Sequence, residues 1–236
     1  MGKNLIQQRR GRGTSTFRVR SFRSDGAVKH IPFSRESHAG EVIDIVHSYM
    51  HSGPIAKVKF ENQQLVLMQA PEGMRVGQKI FSGSSAPIQI GNTLPLKDIP
   101  EGTDVYNIES FPGDGGKFVR AAGSSARVTS KSGNKVMVML PSKKERAFSP
   151  ECRASIGIIA GSGRKEKPFL KAGNKFHRMK ARNKYYPQVE GVSMNAVSHP
   201  FGSKSSRTKG RPTQAPRNAP PGRKVGKIAP RRTGRR

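Results

Sequence analysis

Apolar and polar residues alternate at period two through the middle of this chain, and the period is lost towards both ends. Ile55-Ala56-Lys57-Val58-Lys59-Phe60 alternates loosely, Glu61-Asn62-Gln63 supplies a turn, and Leu65-Val66-Leu67-Met68 resumes. That pattern predicts a β-hairpin. Pro71-Glu72-Gly73-Met74 reads as a tight turn, because proline presets φ and glycine accepts positive φ. A short strand is expected over residues 76–81. Turn signals then recur at roughly eight- to twelve-residue spacing: Gly91-Asn92, Pro100-Glu101-Gly102, Pro112-Gly113-Asp114-Gly115-Gly116 and Lys131-Ser132-Gly133-Asn134. Between them lie short strands over 126–129, 135–140 and 155–159. Such spacing predicts an all-β fold of two small barrels rather than βαβ units. Residues 38–50 fit helix and strand alike, since Val42, Ile43, Ile45 and Val46 are β-branched.

The barrels divide best near residues 83–92, where Gly-Ser-Ser-Ala-Pro-Ile-Gln-Ile-Gly-Asn separates two strand-rich blocks. The resulting division is a head over 1–35, one barrel over 36–83, a second over 84–163 and an extension over 164–236. Charge follows the same division. Residues 1–35 carry nine Lys/Arg against one acid and residues 164–236 carry twenty-one against two, whereas residues 36–110 carry five against nine. The total of +29 at pH 7 destabilises a compact chain by self-repulsion unless a dense polyanion neutralises it. A phosphate backbone does so by releasing condensed counterions, without any base being read. The tail beyond Lys204 holds only Val225 and Ile228 as bulky apolar residues, too few to offset its ordering entropy without a partner.

Cys152 is the single cysteine, which excludes an intrachain disulfide and a four-thiolate zinc site and suits a reducing cytoplasm. The chain has no apolar run of bilayer-spanning length, and its first residues turn basic where a signal peptide would be apolar. Three places invite chemistry. The Gly-rich segment 112–120 carries Lys117 and Arg120, and its backbone N–H groups are expected to approach a phosphate. It lacks the Lys-Ser/Thr pair of a P-loop. His47 and His51, four apart with Asp44 and His38 nearby, would make a metal face only if that stretch were helical. Packed or solvated histidines are the default there, and no metal is expected. The island 191–202 is expected to pack Met194 and Val197 while presenting Asn195 and His199. His199 has no carboxylate or nucleophile near it in sequence, so an RNA hydrogen bond is favoured over general-base catalysis. Cys152 reads as a small buried hydrophobe.

The island 191–202, the segment Pro-Gly-Asp-Gly-Gly-Lys-Phe-Val-Arg-Ala-Ala-Gly from Pro112, Cys152-Arg153-Ala154-Ser155-Ile156-Gly157 and the ending from Arg217 to Gly226 together resemble the universal second large-subunit ribosomal protein family. The head Gln8-Arg9-Arg10-Gly11-Arg12-Gly13 is similar to its archaeal and eukaryotic branch. The resemblance implies an OB-like barrel followed by an SH3-like barrel, with extended arms in ribosomal RNA. It implies a structural, non-enzymatic role around the peptidyl-transferase region in cytoplasmic ribosomes. The implied partners are large-subunit RNA, neighbouring ribosomal proteins and the small subunit at a bridge. The protein would be monomeric there and away from membranes, with no cofactor beyond Mg²⁺ ions bridging to RNA. RNA contacts are expected from Arg9, Arg10, Arg12, Arg18, Arg20, Arg23, Lys117, Arg120, Arg153, Met194, Asn195, His199, Arg217, Arg223 and Lys224. Tyr185, Tyr186, Phe176 and Phe201 fit either base stacking or core packing. The chain departs from the family at His51, where arginine is usual, at Ser198 in place of aspartate, and at Gly202-Ser203-Lys204 in place of three glycines.

Overall fold

The computed structural model describes residues 4–19, 21–32, 37–164, 166–203 and 213–231, which form two compact units, Ser21–Pro168 and Met1–Arg20 with Phe169–Arg236. The first unit is a ten-stranded sheet: β1 His38–Val46, β2 Ile55–Phe60, β3 Leu65–Gln69, β4 Lys79–Ser82, β5 Thr93–Pro95, β6 Asp104–Tyr106, β7 Ala126–Ser132, β8 Lys135–Met139, β9 Glu145–Phe148 and β10 Arg153–Ile156. Its order is β3-β2-β1-β4-β5-β10-β6-β7-β8-β9. Pairing is antiparallel throughout except at β4 and β5, which join through the single parallel pair Ser82 and Thr93.

Two apolar cores lie along this sheet. Val42, Val58, Phe60, Met68 and Ile80 form one over β1–β4; Leu94, Ile108, Val128, Val138, Cys152 and Ile156 anchor the other over β5–β10. The β2–β3 hairpin turns at 61–64 as its alternation predicts, with Gln63 N–H donating to the Phe60 carbonyl at 2.9 Å. The helix-or-strand ambiguity over 38–50 resolves as strand: β1 pairs with both β2 and β4, and Ile43 is the extra residue of a bulge between Val42 and Asp44. The i,i+4 spacing that would have brought His47 and His51 together therefore does not arise. Other ends shift by a few residues. Gly77, at φ 81, keeps Val76 in a turn before β4, and Gly157, at φ 118, ends β10 ahead of residues 158–159. Every residue of β10 is buried, because the strand is flanked on both sides.

The second unit carries α1 Ile6–Gly11, α2 Ala172–Ala181 and the two-stranded parallel pair β11 Gln214–Ala215 with β12 Lys227–Ile228. Leu5, Phe201 and Val225 share one small apolar cluster with Val192 at its edge, so the head and the tail, two separate arms in the sequence reading, meet there. Helix α2 stands in a stretch whose composition predicts no element. It ends in a paired backbone cap: Asn183, at φ 50, donates to the Lys180 carbonyl at 3.1 Å, and Lys184 donates to that of Met179 at 2.9 Å.

Candidate nucleic-acid interface

The Gly-rich segment is held from inside by two carboxylates. Asp114 accepts N–H groups from Ser110 and Gly116 at 2.9 Å and from Phe111 at 3.4 Å. Glu109 accepts from Gly113 and Gly115, both at 3.2 Å, and from the Arg153 backbone at 2.9 Å. The loop amides thus point into the protein, and the expectation that they cradle a phosphate is corrected. Residues 113, 115 and 116 all take positive φ, which the inward turn of these amides requires. Lys117, by contrast, is exposed, and the Lys29 side chain lies against Gly115 at the same tip.

Arg153 is likewise corrected. Its side chain is 5% exposed and that of Glu109 is fully buried; Nη2 and Nε reach Glu109 at 2.8 and 3.2 Å, and Nη1 donates to the Ile31 carbonyl at 2.8 Å. Placed on the central strand β10, this guanidinium organises the core beneath the loop and is out of reach of RNA. Burial pushes the Glu109 pKa up, but the hydrogen bonds and charge of Arg153, with His30, hold it below the usual carboxylate value. His30 sits in the same network, 2.6 Å from the Asn107 carbonyl, and burial with the Arg153 charge lowers its pKa to about 4. Arg120 is half-buried and donates to the carbonyls of Val28, at 2.7 Å, and Gly116, at 3.3 Å, so it clamps the loop to the segment before β1.

His51 bonds through Nδ1 to Ser48 Oγ at 2.8 Å. Burial lowers its pKa, Arg120 lowers it further, and Asp25 only partly opposes them, so the ring is neutral at pH 7. Arg23 is exposed, with its guanidinium 5.2 Å from the Tyr49 ring and 5.8 Å from that of Phe22.

In the second unit Arg9, Arg10, Arg12 and Arg18 are all exposed, as are Arg217 and Arg223, while Lys224 is half-buried. Arg20 lies outside the described residues, as do Lys204 and Arg207. Arg9 and Arg10 occupy the last turn of α1, whose start is held by the Gln8 side chain accepting from the Leu5 N–H at 2.8 Å. Asn183 is a positioning residue that sequence reading missed: its Nδ2 donates to the carbonyls of Ser15 and Arg18, at 3.2 and 2.8 Å. An asparagine closing a helix at positive φ was the available signal.

The island 191–202 folds on itself. Ser198 and His199 donate to the Asn195 carbonyl, Gly202 to that of His199, and Ser203 to that of Met194. His199 Nδ1 accepts the Phe201 N–H at 3.1 Å, which leaves the proton of the neutral ring on Nε2. Burial lowers its pKa. Asn195 is exposed and Met194 half-buried, but the packing residues are Val192 and Phe201, whereas Val197 is 48% exposed. Phe201 is therefore a core residue here. Tyr186 faces Lys175, and Phe176 and Tyr185 remain partly exposed.

Two family models match the chain: Ribosomal Proteins L2, RNA binding N-terminal domain, over residues 2–82, and Ribosomal Proteins L2, C-terminal domain, over residues 89–219. The large ribosomal subunit protein uL2 of Methanothermobacter thermautotrophicus is 49% identical over 240 residues, covering all of both chains. Those of Natronomonas pharaonis and Haloarcula marismortui are each 52% identical over 236 residues, covering all of this chain and 97% and 98% of theirs.

Proposed function

The chain belongs to the ribosomal protein L2 family, and on that premise we propose that it is a structural constituent of the large ribosomal subunit, binding ribosomal RNA among neighbouring ribosomal proteins. It is not an enzyme; its working place is the cytoplasmic ribosome, and its all-β body is that of the OB-like and SH3-like domains. The observation that carries this reading is the end-to-end match to uL2 chains, joined to a charge of +29 concentrated at the two ends.

The finer assignment follows from which cations are open to solvent. Arg9, Arg10, Arg12, Arg18, Arg23, Lys117, Arg217 and Arg223 grip phosphates, and guanidinium forks among glycine and proline suit irregular RNA grooves. Asn195 and the Nε2–H of His199 add hydrogen bonds from a preformed loop. Placement near the peptidyl-transferase region and at a bridge to the small subunit completes the proposal. The protein expressed in its own cells should co-sediment with large subunits through a high-salt wash, while deletion of 204–236 should lower incorporation and keep the β-sheet circular dichroism of Ser21–Pro168. Release of the intact protein by that wash would overturn the assignment.

A further inference from the structure

Phe111 stands at the tip of the Gly-rich loop with 74% of its surface exposed. Its backbone is fixed at both ends: the N–H donates to Asp114, and its carbonyl accepts the Asp114 N–H at 3.2 Å. Glu109 holds Gly113 and Gly115 beneath it, so a large apolar ring is displayed on a loop already locked in shape. Among the described residues the cations at that tip include Lys29, Lys117 and Arg120, and the partly open acid Asp114 is occupied by three backbone N–H groups and offset by Lys117. A ring carried on a backbone already fixed beside cations adds no loop-ordering cost on capture, and every base offers it a π-face.

We propose that Phe111 is a stacking platform for an unpaired base of ribosomal RNA, with Lys29 and Lys117 on the flanking phosphates. This rests on the RNA-binding reading above and adds to it a single-stranded element as the local partner. Base stacking on an aromatic contributes enough that Phe111→Ala should weaken binding to single-stranded RNA by roughly five- to 150-fold. The slope of log affinity against log salt should stay unchanged, since no phosphate contact is lost.

The chain contains no tryptophan, so Phe111→Trp places the sole indole at the tip, where it can be excited apart from the four tyrosines. Full-length protein is titrated at about 200 mM salt with a short oligoadenylate and with an adenine–uracil duplex of equal length. Quenching of the indole by the oligoadenylate but not the duplex is expected, together with the affinity loss in Phe111→Ala. Unmoved emission at saturating oligoadenylate, equal quenching by duplex, or unchanged affinity of Phe111→Ala would overturn the platform while the parent reading stands. Failure of the wild-type chain to bind either RNA would overturn both. Circular dichroism confirms that each variant folds, as expected for an exposed side chain.

Discussion

Replacing Glu109 by glutamine keeps the side chain's shape and turns half of its acceptor into a donor. Oε2 serves Gly113 and the Arg153 backbone, and Oε1 serves Gly115 with Arg153 Nε and Nη2. Whichever way the amide points, its NH₂ faces at least two N–H donors, and the Arg153 guanidinium loses the Glu109 carboxylate in a closed core. Each orphaned buried donor costs about 1–3 kcal/mol, and removing one partner of a buried pair costs about 3–5 kcal/mol. We expect a loss of about 3–5 kcal/mol in urea unfolding followed by circular dichroism. The exposed pair of Lys97 and Glu151 is the control, where Glu151→Gln should leave the urea midpoint nearly unchanged. The joint change Glu109→Leu with Arg153→Met should fail to restore stability, because the amides of Gly113, Gly115 and Arg153 stay unsatisfied. The pH dependence has a definite sign. His30 and Glu109 both hold protons less readily folded than unfolded. Stability is therefore full above about pH 6.5 and falls first as unfolded His30 charges, then as pH drops below the ordinary carboxylate value of 4.5 through the lower folded pKa of Glu109. Glu109→Gln should shrink the second decline to the part that Asp114, whose pKa is also lowered, supplies. A loss below about 1 kcal/mol, or rescue by the double variant, would refute the account of this network.

His51→Arg should tighten RNA binding most above pH 7, where wild-type His51 is neutral, and steepen the salt slope by just under one unit in filter binding. Affinity and slope equal to wild type would remove position 51 from the interface. The Cys152 thiol, buried in the second core with its pKa pushed up to about 11, should resist a thiol reagent such as a disulfide dye until the sheet opens. Prompt labelling of native protein would contradict that burial. Gly191→Ala should deform the island, since an added Cβ meets the His199 ring, and the further change His199→Ala should relieve it. Proteolysis of the 191–203 loop, faster in the single variant and restored in the double, is the readout.

The strands were legible because their chemistry is local. Alternation placed β2, β3, β7 and β8, and Gly-Asn or Pro-Glu-Gly turns bounded them. What stayed hidden depends on distance along the chain. Arg153 looked like one more basic residue beside Cys152, and only its burial against Glu109, forty-four positions earlier, removes it from the RNA set. The Gly-rich loop misled for the same reason: glycines permit amides to face out or in, and Asp114 with Glu109 decides the direction. Asp114, three residues after Phe111, was readable as a turn former; Glu109 was not. Helix α2 went unseen because its composition is cationic and its partners are aromatic faces, with Lys175 over Tyr186 and Arg178 over Phe169, rather than an aliphatic stripe. In the island, apolarity alone could not rank Val197 below Phe201, whose burial depends on Leu5 and Val225 at opposite ends of the chain.

Strand β10 imposes an order on folding during synthesis. The ladders among β1, β2, β3 and β4 are complete once Ser82 has left the exit tunnel, but β5 has only the lone Ser82–Thr93 link until residues 153–156 arrive to seat between it and β6. Until a translating ribosome has added the roughly sixty residues in between, Leu94 and Leu96 lack the Cys152, Ala154 and Ile156 side chains of their core and the Leu96 N–H lacks its Cys152 acceptor. A nascent chain of this protein is thus most adhesive midway through its own production, and stalling it there should recruit chaperones that the finished molecule no longer attracts.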